Sequence, residues 1–135
     1  MLSTITAAAH IQAQDIAVSG VRPGTIAVDT GGLDSAAFMS LHAIALKINW
    51  EPLLPAYDPI ASASPNGPWV FGIPEQLRSH LALLNEQSIQ HLAALWAESQ
   101  ELKDDGVSGE EAYEILLEVA RVARDSDSLL LWLSL

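Results

Sequence analysis

The chain has 135 residues, with 17 Asp plus Glu against 6 Lys plus Arg, no cysteine, four tryptophans and half of its residues hydrophobic. That length builds one domain around a core that needs no staples, and the missing cysteines exclude a disulfide framework, a thiolate metal site and a cysteine nucleophile. A formal charge of −11 argues against nucleic-acid binding and against adsorption to an anionic membrane, and it favours a basic partner.

Residues 1–9 hold neither the basic region nor the long apolar block of a secretory signal, so a cytoplasmic location is expected. The most apolar runs, 35–48 and 129–135, fall short of the about 20 residues that a spanning helix requires. Residues 1–33 read as a small β or mixed region. Two apolar or β-branched runs, 11–18 and 25–28, flank the turn signal Arg22-Pro23-Gly24 and suggest a hairpin, with a helix over 7–15 as the alternative. Gly31-Gly32 closes this region. Asp34 or Ser35 then caps a buried helix over 34–49, apolar nearly all round and so suited to the centre of the domain.

Residues 50–73 read as a proline-rich but ordered loop. Six of the seven prolines fall at 52, 55, 59, 65, 68 and 74, and proline removes backbone donors and blocks helix. Trp50, Leu53, Leu54, Tyr57, Ile60, Trp69, Val70 and Phe71 supply anchors that a disordered segment would lack. Helices are expected across 74–127. Pro74 opens a short one to about residue 84, and Asn85 caps a longer one over 86–103 whose Ile89, Leu92, Ala93 and Trp96 form one stripe. Ser108 and Glu111 make a capping box for a third, with Ala112, Ile115, Leu116, Val119 and Ala123 buried, ending near Arg124. The apolar tail 129–135 reads as a buried strand paired with the N-terminal region. The expected class is α+β: a single, mainly helical domain with a small sheet joining the chain ends.

Catalytic signals are sparse. Residues 26–31, Ile-Ala-Val-Asp-Thr-Gly, resemble the element that aspartic proteases use in pairs, but one copy in a helical chain reads better as a turn leaving a strand. His10, His42, His80 and His91 show no metal-ligand spacing, and His42 reads as a core histidine bonded to a backbone carbonyl. There is no Gly-x-Ser-x-Gly elbow, and no lysine follows Gly31-Gly32 to complete a phosphate loop. Neither a catalytic residue nor a metal or cofactor is expected, although the sequence leaves enzyme or non-enzyme undecided.

Charge patterning says more. Ten carboxylates lie at 98, 101, 104, 105, 110, 111, 114, 118, 125 and 127 against Lys103, Arg121 and Arg124, a net of −7 within residues 98–127. Glu110, Glu114 and Glu118 repeat at four-residue spacing and repel, which lysine would relieve. Glu98, Glu101, Glu110, Glu114 and Glu118 are therefore the candidate partner-binding residues for a basic protein. The alternative is a small-ligand or enzymatic pocket under the 50–71 loop, lined by His42, Trp50, Tyr57 and Trp69. A third possibility is a homodimer built on the apolar C-terminal strand.

From residue 70 onward, the Ile-Pro-x-x-Leu start at 73–77, the Leu-Ala-Ala-Leu-Trp-Ala stretch at 92–97, the capped acidic helix and the terminal Leu-Trp-Leu-Ser-Leu resemble a type of small uncharacterised bacterial protein. Some of that type are suspected of being immunity factors that neutralise toxic effectors. The resemblance spans about half of the chain and implies a non-enzymatic inhibitor, without carrying over any functional residue.

Overall fold

The computed structural model describes residues 1–135. Five antiparallel strands form one sheet in the order β2-β1-β5-β4-β3, with β1 Leu2–Ala7, β2 Ala27–Asp29, β3 Ala61–Ser62, β4 Trp69–Gly72 and β5 Leu129–Ser134. The chain ends meet at its centre, where Ile5 lies opposite Leu131 and Thr6 opposite Leu130. The fold is α+β, as the residue patterns implied. No helix is long and apolar enough to cross a membrane.

Because side chains alternate across a strand, the register assigns each residue to a face. Ile5, Val28, Phe71, Leu129, Leu131 and Leu133 point to one side, where they join the main core. Five helices close that side: α2 Ser35–Leu46, α3 Glu75–Ala82, α4 Glu86–Ala97, α5 Gln100–Asp104 and α6 Gly109–Arg124. Leu130 and Val70 point the other way, under α1 Ala13–Ser19, whose Ala13, Ile16 and Ala17 form a second small cluster with them.

The caps fall where the sequence placed them. Asp34 accepts from the Ala37 amide, Asn85 from that of Ser88, and Ser108 exchanges hydrogen bonds with Glu111. Each satisfies a donor that the first helical turn leaves open. Arg78 joins the helices to one another: it forks onto Glu75 and donates to the carbonyls of Ala123, in the last turn of α6, and of Ser126 just beyond it.

Four expectations are corrected. Residues 11–18 form no hairpin strand: Ile11 and Val18 are 92% and 65% exposed, while Ala13, Ile16 and Ala17 bury at helical spacing. The partner of β2 is β1, whose Ser3 and Ile5 bury on one face and whose Ser3 hydroxyl bonds that of Thr30. The 86–103 helix is broken at Glu98, because Ser99 caps a new helix by accepting from the Leu102 amide. On an unbroken helix Leu102 would sit about 120° away from the Trp96 stripe; the break lets it bury completely. The 50–73 loop is partly regular, with a 3-10 segment at Glu51–Tyr57 and then β3 and β4, so that Trp69–Gly72 lies inside the sheet beside β5.

Candidate functional site

The alternative pocket does not assemble. His42 and Tyr57 meet, with His42 Nδ1 2.9 Å from the Tyr57 hydroxyl, but the pair is buried and lines none of the five main cavities. The hydroxyl also donates to the carbonyl of Phe38, so the partner of His42 is a phenol and not the expected backbone carbonyl. His42 Nε2 has no partner. Burial lowers the pKa of His42 below its ordinary 6.5, with the nearby His80 acting in the same direction, and burial raises that of Tyr57. Both groups are held neutral. Trp69 sits on β4 packed against the core, and Trp50 lies elsewhere, half exposed at the start of the 3-10 segment.

The other signals resolve into local structure. Asp29 accepts from the Gly31 amide at 2.8 Å and so holds its own turn. Gly32 has φ +86°, and a Cβ there would lie 2.7 Å from the Met1 carbonyl oxygen, which accounts for a glycine where the chain passes its own start. The α2 N-terminus behind it already holds the Asp34 carboxylate. No three His, Asp or Glu side chains come together as a metal site. C-terminal β5 is paired along both edges, so it has no free edge to offer a second copy of the chain.

The carboxylates behave differently. Glu110, Glu111, Glu114 and Glu118 are all exposed on α6, opposite the buried Ala112, Leu116, Val119 and Ala123. At helical spacing the four fall within a sector of about 100°, which they share only with Arg121. The two ion pairs in the structure, Arg22–Asp15 and Arg78–Glu75, use none of the ten carboxylates in residues 98–127. Arg124 is engaged elsewhere, donating to the carbonyl of Leu84. Glu110 lines a cleft of about 320 Å³ between α4 and α6, together with Gln90, Ala94 and Tyr113. Tyr113 donates to Glu86 across that helix pair.

Glu98, which ends α4, and Glu101, in the first turn of α5, lie apart from the α6 stripe. Glu98 is exposed, whereas Glu101 is half buried with no hydrogen bond or ion pair and lines a groove of about 280 Å³ with Met39, Ser40, Ala43, Ile44 and Trp50. The structure thus brings together one residue from each sequence-level candidate set. The α2 residues of this groove escaped the sequence reading; their only signal was that the helix is apolar on too many sides to be covered completely.

A further cleft, of about 360 Å³, collects Lys47, His80 and His91 over Ile44, Leu84 and Leu92, with no carboxylate in its lining. Comparison with protein-family models, curated proteins and solved structures finds no match to this chain.

Proposed function

We propose that this chain is a non-enzymatic binding protein of immunity or inhibitor type, acting in the cytoplasm, which docks a basic partner protein through the carboxylates of α5 and α6. The observation that carries the reading is the unpaired state of those carboxylates. Four glutamates share the outward face of α6, and six cations in the chain leave all of them without an ion pair. Repulsion at Glu110–Glu114 and Glu114–Glu118 costs about 0.2–0.5 kcal/mol per pair in the free protein, and a cationic partner relieves it on docking. A net negative field, which Arg121 only partly offsets, also steers a cationic partner during approach, which accelerates association and makes it sensitive to salt.

The loop pocket has no comparable support, because its four residues divide between a sealed core pair, a sheet position and an outer groove. A defined cationic probe tests the docking reading. Titration of the isotope-labelled protein with a hexa-arginine peptide at low salt should shift the amide resonances of residues 98–118, leaving those around Asp15, Asp29 and Asp58 unmoved. Shifts of equal size around all the carboxylates of the molecule would overturn it.

A further inference from the structure

The groove between α2 and α5 combines features that the α6 face lacks. Its floor is apolar, formed by Met39, Ala43 and Ile44; Trp50 forms one wall and remains 50% exposed; and Glu101 is half buried with nothing bound to it. Both walls are held from behind. Leu102, the residue after Glu101, is fully buried and fixes α5 against the core, with Ser99 capping the helix start. Trp50 begins a 3-10 segment pinned by Leu53 and by Tyr57, whose hydroxyl bonds His42 of α2. The groove is therefore a preformed feature of the domain, whose lining sets an indole and a carboxylate over an apolar floor.

Three classes of occupant meet this lining differently. An anion is repelled by Glu101 and by the charge of the whole chain. A purely apolar side chain would cover the floor but strip water from Glu101 without giving it a partner, which is costly. A long cationic side chain satisfies every wall: its methylene stem lies on Met39, Ala43 and Ile44, its charged plane stacks on Trp50, and its donors reach Glu101. A planar guanidinium does this better than an ammonium, because it stacks on an aromatic face while presenting a fork to a carboxylate.

We infer that the Trp50–Glu101 groove is the anchor site for one arginine side chain of the basic partner, with the glutamates of α6 steering approach and this groove fixing register. The inference rests on the docking reading above and adds to it a specific contact. A volume of about 280 Å³ suits one long side chain, and charge complementarity selects its sign.

The test uses acetyl-arginine methylamide, with the citrulline analogue as a neutral control of nearly the same shape. Titrated into the labelled full-length protein, the arginine compound should shift the indole N–H resonance of Trp50 and the amides of Met39, Ala43 and Glu101 saturably, and the citrulline compound should not. Trp50→Ala and Glu101→Gln should each weaken the interaction about fivefold, while Trp50→Tyr, which restores an aromatic wall, should recover most of it. Equal shifts with citrulline, or saturable arginine binding that survives both substitutions, would overturn the inference. Its failure is separable from that of the docking reading. If acetyl-arginine methylamide leaves Trp50 unmoved while hexa-arginine still perturbs α6, the groove proposal alone is lost; if neither probe acts on these residues, both are lost.

Discussion

The two sides of helix α2 use similar residues to opposite ends. On its inner side Phe38 packs against Trp96, with ring centroids 5.7 Å apart, and the Trp96 indole donates to the carbonyl of Ala37 at 2.9 Å. Nothing polar on that tryptophan is left open, and no part of it reaches solvent. On its outer side Met39, Ala43 and Ile44 meet Trp50, which stays half exposed, and Glu101, which has no partner. A tryptophan that fills a core and satisfies its N–H holds the fold together, whereas one that borders an open groove beside a bare carboxylate contributes little to stability and leaves a surface available for binding.

The largest expected effect comes from the inner side. Trp96→Ala should destabilise the protein by about 3–5 kcal/mol, as truncation of a fully buried aromatic does, measured by urea unfolding. A loss no greater than that of a surface substitution would break the contrast between the two tryptophans.

A smaller effect concerns His42, also on the inner side. Its pKa is lowered from 6.5 in the folded state, so the unfolded chain takes up the proton first. The stability that neutral His42 contributes is complete above the unfolded value and is lost as pH falls from 6.5 through the lowered folded-state value. Protonation of the many carboxylates acts in the same range, so the measure is the difference between wild type and His42→Gln. Wild type should lose stability relative to the variant between about pH 7 and pH 5; a difference independent of pH would contradict the burial of a neutral imidazole. The smallest effect belongs to the outer side, where Trp50→Ala should change unfolding stability by no more than about 0.5 kcal/mol. A loss several times larger would make Trp50 a structural residue and remove the contrast.

What the sequence disclosed follows the same division between local and distant causes. The caps at Asp34, Asn85 and Ser108, the α6 stripe and the strand at 129–135 are written within a few residues of where they act, and all were legible. Strand β1 was not, because the β-branched residues of 11–18 give a stronger local strand signal than the alternation in residues 2–7; Val18 lies on the exposed face of α1 and Ile11 in the 3-10 turn before it, while the small residues Ala13 and Ala17 carry the packing. Strand β4 was obscured by the prolines around it and depends on pairing with β5 from the far end of the chain. The groove was equally hidden. Residues 39–44 meet Trp50 and Glu101 only after α5 has broken from α4, and the single local sign of that break is Ser99. The acidic residues could be found from sequence, but their separation into an α6 stripe and a groove-lining Glu101 could not.

The central claim is that the carboxylates of α6 act together on a cationic partner, and the most direct measurement is the salt dependence of hexa-arginine binding to wild type and to the Glu114→Lys/Glu118→Lys variant. The variant should remain folded with stability little changed, because position 114 becomes an opposite partner of Glu110 while 114 and 118 stay alike in charge and 118 now repels Arg121. Its affinity should be at least about fivefold weaker at low salt, with a shallower decline as salt is added. Equal affinity and an unchanged salt slope in a folded variant would contradict the claim, since reversal of two charges on that face would then leave the encounter untouched.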